Sequence, residues 1–484
     1  MNILYRSAFA LANDIKTQTL SSLAVLEFFL SRVEQFNPTL NAVVALDVER
    51  ARQRAEAADT AAANGEDWGP LHGVPVTIKD ALCTQGLVTV GGIPDCKDNI
   101  PSSNATAVQH YLDAGAIVFG KTNVPFMSSD LQSYNDIYGA TNNPWNVERT
   151  CGGSSGGAAA AVAAGLTPLE IGSDIGGSIR IPSHFNGVFG HKSSFGIVSE
   201  HGHLPPGENT LSESDLSVIG PIGTCVDDLE QALDILCGEH GSQSPGWKLA
   251  LPAASFDDIA SLRVAVWADD AFCPVDADIA RSITEAGESL LHAGAHVDFE
   301  ARPNLDPEEN HRNYSLLLMA SMGAGMPQAV FDTARDVTAA ADPADFSDAM
   351  MSLRGIALSH RDWLKQNERR LKTQAAWERF FEDFDVVLCP SAFVPAFPHD
   401  HTPDMNARQL IVNGETRRYT DLLRWSGLTL NTYLPATAVP VGATADGMPV
   451  GAQVVSRYMG DRTTLKAARL LEQHHRGFKA PDGY

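Results

Sequence analysis

Between residues 150 and 184 the chain reads TCGGSSGGAAAAVAAGLTPLEIGSDIGGSIRIPSH. Two glycine-serine clusters, Gly152 to Gly157 and Gly176 to Ser178, bracket an alanine-rich run and a short apolar stretch. Glycine at this density lets the backbone approach other groups closely, and serines set among glycines keep their hydroxyls uncrowded. The run Ala158 to Ala164 is apolar on every side, which predicts a buried helix, and Gly165 suits its C-terminal end. Burying that helix between two tight turns needs a large core. A chain of 484 residues, 44% hydrophobic and 19% charged, can build one.

Helices and strands alternate around this block. Leu26, Phe29, Leu30 and Val33 share one helical face over 21–36, with Ser21 or Ser22 as the cap and Asn37-Pro38 as the predicted stop. A second helix is predicted over 47–63. Val74, Val76 and Ile78 then alternate as in a strand that runs straight into Lys79-Asp80. A helix from 104 leads to a strand at Ala116 to Phe119, and turn residues fill 123–150. Further on come a helix at 226–237, a strand at 261–270, a helix-strand step over 276–300 and a mostly helical stretch at 307–382. A buried strand at 384–392, an irregular stretch at 395–420, the strand-like ATAVPVGA and VGAQVVS, and a helix at 461–475 complete the pattern. No repeat or linker interrupts it. The reading is one α/β domain over 1–484, with a mixed central β-sheet flanked by helices on both faces.

The net charge of −24 should repel nucleic acid and anionic membranes, so neither is an expected partner. The seven cysteines are scattered without a C-x-x-C pair, which suggests neither a disulfide frame nor a zinc site. No apolar stretch approaches 18 residues, and the opening MNILYRSAFALAND reads as mature sequence rather than a signal peptide. A soluble, cytoplasmic protein is expected.

Gly152-Gly153-Ser154-Ser155-Gly156 fits the G-x-S-x-G elbow of some hydrolases, but that elbow needs an apolar strand before it, and NPWNVERTC stands there instead. The cluster also lacks the Gly-Lys-Ser/Thr ending of a phosphate-binding loop. The second cluster, Asp174-Ile175-Gly176-Gly177-Ser178, is a tight turn whose successive N–H groups can converge on an oxyanion, with a hydroxyl at its end. Donors and nucleophile from one turn suit acyl transfer. For the base, His184, His191, His201 and His203 lie downstream, and Lys79 ends a strand upstream. His201-x-His203 and His399-x-His401 invite a metal reading but lack an obvious third ligand, so no metal or other cofactor is expected.

Taken together these blocks resemble the signature of the amidase signature family: GGSSGG, DIGGS and IRIPS, with GPLHGVPVTIKD (69–80) carrying the lysine. NVP (123–125), NNPWN (142–146), DLSVIGPIG (215–223) and GMPVGAQVV (447–455) extend the match along almost the whole chain. The signature core falls at about 69–225. Residues 300–420 match no motif and are expected to shape the substrate pocket. One departure is Lys192-Ser193-Ser194, where the family often has proline after the lysine.

The resemblance implies a hydrolase of carboxylic amides, with a Ser-Ser-Lys triad and an acyl-enzyme. Ser178 would be the nucleophile, Ser154 the bridging serine after a cis peptide and Lys79 the base. The N–H groups of Ile175, Gly176, Gly177 and Ser178 would form the oxyanion hole. Lys79 must then be buried to start neutral, and Asp80 must point elsewhere. Small-molecule amides are the implied substrates, with anilides, carbamates (urethanes) and esters sharing the chemistry. The alternative is the amide-hydrolysing, glutaminase subunit of a tRNA-dependent amidotransferase. Ser128 falls near the position at which relatives contact substrate, and Met127, Tyr134, Trp425, Leu428 and the methionine-rich 319–326 stretch are the expected apolar walls. The oligomeric state stays open, a homodimer included.

Overall fold

The computed structural model describes residues 3–205, 207 and 210–484. The β-rich runs Ala436–Ala443 and Pro449–Val455 form an antiparallel hairpin at the centre of an eight-stranded sheet. On one side of the hairpin lie, in order outward, Val386–Pro390, Arg263–Val266 and His296–Asp298, mutually parallel. On the other side lie Phe189–Lys192, Val218–Gly223 and Leu169–Asp174, all antiparallel. Helices Ala277–His292, Asp461–His474 and Val226–Leu236 pack together against one side, and Gly156–Ala163 and Arg180–Asn186 against the other. Central strands covered on both faces are buried at nearly every position, which is why they read as apolar runs rather than alternations. The fold is a single α/β domain around a mixed sheet.

A smaller sheet extends this frame. Ile117–Thr122 pairs in parallel with Pro75–Lys79 and antiparallel with Val43–Leu46. Pro75–Lys79 lies against the edge strand Leu169–Asp174, and the Thr77 N–H donates to Thr167 Oγ1 at 3.1 Å. That contact brings Lys79, at the C-terminal end of one strand, beside Ser173 near the C-terminal end of the other, where the second glycine-serine turn follows.

Three expectations change. The helix expected to stop at Asn37-Pro38 runs from Ser22 to Leu40. Proline in the last turn removes one hydrogen bond only. Asn37 then secures the end, its Oδ1 accepting the Ala42 and Val43 N–H groups at 2.8 Å. The irregular stretch 395–420 contains an antiparallel hairpin, Gln409–Val412 with Glu415–Arg418, turning at Asn413-Gly414, where both residues have positive φ. The turn-rich 123–150 region holds four short strands paired as two ribbons, Tyr134–Asn135 with Gly139–Ala140 and Asn142–Asn143 with Asn146–Thr150.

Among the described residues, no helix is long and apolar enough to cross a membrane. The first two residues of the opening stretch, read from sequence as mature, lie outside the described residues. Among the described residues, none of the seven cysteines is joined in a disulfide.

Candidate active site

The alanine-rich helix forms as Gly156–Ala163 with all eight residues buried, so it can present its first turn only to the protein interior. Gly153 shows why that turn needs glycine: a Cβ there would meet Asp130 O and Gln132 N at 2.7 Å. The Gly153–Ser154 peptide is cis. Ser155 ties this turn to the next, its N–H donating to Ser178 O at 3.1 Å.

The second turn is set by Asp174. Its Oδ1 accepts the Gly177 N–H at 2.8 Å and its Oδ2 the Ile179 N–H at 3.0 Å. Arg180 binds the same carboxylate through Nε at 3.1 Å and Nη2 at 3.0 Å, with both side chains fully buried. Burial opposes the charge, but the guanidinium more than offsets it and holds the Asp174 carboxyl at about 2. At Gly177, φ is +103° and a Cβ would lie 2.4 Å from Ser426 Oγ, so only glycine fits. From the far side, the Tyr314 hydroxyl donates to Ile175 O at 2.8 Å.

This geometry alters one expectation. The Gly177 N–H is taken by Asp174 and is not free for an oxyanion. The N–H groups of Ile175, Gly176 and Ser178 have no partner among the described residues.

Lys79 ends its strand fully buried. Its Nζ lies 2.7 Å from Ser154 Oγ and 2.9 Å from Ser173 Oγ. Burial lowers its pKa from 10.5 to about 7, against the opposing pull of Asp174, Glu170 and Glu200. Asp80 turns away, its carboxylate accepting the Val90 N–H at 3.3 Å and facing Lys121.

A cavity of about 930 Å³ opens on Ser154, Ser173 and Ser178. Met127 and Ser128 line it in left-handed conformation, both with φ +53°. Such backbone is uncommon for residues other than glycine and is found at ligand-binding turns. The Ser128 hydroxyl is buried without a partner among the described residues. Met322, Met326 and Trp363 supply apolar wall from the helical region that matched no motif.

Two expected wall residues stand elsewhere. Trp425 is fully buried in the core, its Nε1 donating to Cys273 O at 2.9 Å and its ring set edge-on to Trp267. Tyr134 stacks on His401 and accepts a hydrogen bond from Arg408 at 2.8 Å, outside the cavity. Leu428 is likewise core, and Met319 does not line the cavity.

Among the described residues, no histidine hydrogen-bonds to Ser154 or Ser178. His184 is held between Val394 O and the Gly451 N–H, and His191 between Thr437 and Asp461. His201 stacks on His240. His203 instead sits 2.8 Å from Ser173 Oγ. Among the described residues, no group of three or more His, Cys, Asp or Glu is arranged to hold a metal. At the departure from the family pattern, the Ser193 hydroxyl donates to Ile219 O and that of Ser194 to Asp461, so both serines are bonded into the core.

The fold and the two turns define a class of serine-rich α/β hydrolase site, and sequence comparison fixes which one. A family model described as Amidase matches residues 24–465, and the chain belongs to this amidase signature family of amide-hydrolysing enzymes. An indoleacetamide hydrolase of Bradyrhizobium diazoefficiens is 31% identical over 96% of this chain and 86% of its own. An acylamidase of Rhodococcus erythropolis is 32% identical, over 97% and 96%. A glutamyl-tRNA(Gln) amidotransferase subunit of Carboxydothermus hydrogenoformans is 31% identical over 99% of both chains. In structure, a 6-aminohexanoate cyclic dimer hydrolase superposes with a TM-score of 0.81, at 25% identity, over 100% of this chain and 99% of that one.

Proposed function

We propose that the protein hydrolyses small-molecule carboxylic amides through an acyl-enzyme on Ser178. The carrying observation is the fully buried Lys79, bonded to Ser154 beneath a cavity that opens on Ser178. A neutral lysine accepts the Ser154 proton while Ser154 accepts that of Ser178. The Ser178 oxygen attacks the amide carbonyl, and the developing oxyanion meets the free N–H groups of Ile175, Gly176 and Ser178, each donor worth about 3 kcal/mol in the transition state. The proton returns through Ser154 to the leaving amine. Water, activated by the same relay, then releases the acid from Ser178.

Anilides, carbamates (urethanes) and esters proceed through the same tetrahedral geometry and are the extended substrate range. The Ser128 hydroxyl, orphaned at the cavity wall, is the proposed substrate contact, with Met127 beside it. Incubation with a matched panel of aliphatic amides, anilides, carbamates and esters tests the reading. Release of acid and amine that is lost in Ser178→Ala supports it, and a panel with no turnover contradicts it.

The second reading is the glutaminase component of an amidotransferase, favoured by full-length similarity to such a protein. The described cavity wall counts against it. Glu200, Glu213 and Asp215 line it without any lysine or arginine, so the α-carboxylate of glutamine finds no counter-ion there. A cytoplasmic location belongs to the same proposal and is consistent with seven cysteines of which none forms a disulfide among the described residues.

A further inference from the structure

Ser173 joins Lys79 to a histidine that the triad chemistry does not use. The link is built by the backbone: Leu204 N–H donates to Ala81 O at 2.7 Å and Cys83 N–H to Gly202 O at 2.9 Å, so the segment around His203 is laced to the chain just after Lys79. The His203 ring then spans two partners. Its Nδ1 lies 3.0 Å from Pro205 O and its Nε2 lies 2.8 Å from Ser173 Oγ.

A carbonyl oxygen only accepts, so Nδ1 carries the hydrogen. The ring lines the cavity but is packed deeply enough that burial, with Lys79 nearby, lowers its pKa from 6.5 to about 4 against the pull of Pro205 O. It is therefore neutral in the working range, and its Nε2 is bare and must accept. The Ser173 hydroxyl hydrogen goes to that nitrogen. Ser173 Oγ is left able only to accept from Lys79, across 2.9 Å. Of the two hydroxyls bonded to Lys79, only that of Ser154 can then donate to the amine lone pair.

We infer that His203 is a positioning residue that acts through Ser173 to direct the lone pair of Lys79 onto Ser154. The inference rests on the proposed roles of Lys79 and Ser154. His203 transfers no proton and needs no contact with substrate. Without its acceptor, the Ser173 hydroxyl is free to turn and donate to the lysine lone pair, competing with Ser154 for the base. The charged groups around the pair are Lys79, which bonds to Ser173, and the carboxylates of Asp174, Glu170 and Glu200, which do not.

The test follows the rate at which a fluorophosphonate labels Ser178, read as a maximal rate and a half-saturation concentration. His203→Leu is expected to lower the maximal rate about 10- to 100-fold with half-saturation changed less than about 3-fold, the scale for residues that orient a reacting group from behind. His203→Gln, which keeps an acceptor oxygen, is expected to recover most of that loss. The decisive arm is Ser173→Ala combined with His203→Leu, which should label within about 2-fold of Ser173→Ala alone, because the two act in series. Should His203→Leu fail to melt cooperatively, His203→Asn, too short to reach Ser173, carries the same comparison. Wild-type labelling rates in the Leu and Asn variants, or losses that multiply in the double variant, would overturn the inference while leaving the triad standing. Failure of the wild-type Ser178 to label would overturn the hydrolase reading and this one together.

Discussion

Lys79 Nζ lies 2.7 Å from Ser154 Oγ, across 75 positions of sequence, with no solvent on the lysine. The pair decides the pH dependence. Burial brings the ammonium from 10.5 to about 7, and only the neutral amine can accept a proton. In steady-state measurements kcat/KM should rise through about pH 7 and level off above it. An acid limb near the ordinary lysine value would contradict the assignment of Lys79 as base.

The same burial has a stability consequence of fixed sign. The folded-state pKa lies below the unfolded one, so between about 7 and 10.5 the unfolded chain binds the extra proton. This lysine therefore destabilises the fold fully below pH 7, and the penalty fades as pH rises towards 10.5. Lys79→Met, similar in shape and uncharged, should be inactive yet more stable near pH 8 by on the order of 3 kcal/mol, less what its two lost hydrogen bonds contributed. Urea unfolding across a pH series checks it. The variant's stability should lack the rise with pH that the wild type shows relative to it.

The two serines should separate chemically. Ser178→Ala should abolish both turnover and labelling by a serine reagent. Ser154→Ala keeps the nucleophile but breaks its path to Lys79, at a cost of about 10²- to 10⁴-fold in kcat. Peptide mass spectrometry of the labelled wild type should find the adduct on Ser178. An adduct on Ser154 would restore the elbow reading of Gly152 to Gly156.

Tyr314 holds the second turn from a helix that matched no motif. Its hydroxyl fixes the Ile175 carbonyl, and through that peptide the free N–H groups that follow. Tyr314→Phe keeps the packing and removes about 1 kcal/mol of hydrogen bond, so kcat should fall about 5-fold with KM little changed. A loss confined to KM would place the tyrosine in substrate binding instead.

What was legible in sequence was local. The two glycine-serine turns, the buried helix between them and the strand before Lys79 each announce themselves within a few residues, because close backbone approach restricts the choice to glycine and serine. What was not legible lies in pairings between distant residues. Nothing near Ser173 marks His203 as its neighbour, and nothing in 300–420 marks Tyr314 as a brace for Ile175. Trp425 and Tyr134 stand away from the expected wall for a related reason: an aromatic ring fits a cavity wall, a core or a stacked pair equally well, and sequence does not distinguish them. The bond from the Gly177 N–H is hidden in sequence because the carboxylate that takes it sits three residues earlier in the same motif, where Asp174 reads as part of the turn rather than its clamp.

That clamp carries the last prediction. Asp174 and Arg180 are a buried pair with no solvent on either side chain, and the carboxylate also holds the Gly177 and Ile179 N–H groups. Removing one partner leaves the other charge buried, so Asp174→Asn and Arg180→Met should each cost about 3 to 5 kcal/mol, while the double variant should cost less than their sum. The pH dependence follows from the carboxyl being held at about 2 rather than 3.8. Because the folded-state value is depressed, its contribution is complete above about pH 4 and is lost as pH falls through about 2. Subtracting the acid unfolding curve of Asp174→Asn from that of the wild type should therefore leave a step in that window and a plateau above it. A difference that instead changes between pH 6 and 8 would mean the ion pair does not hold the turn.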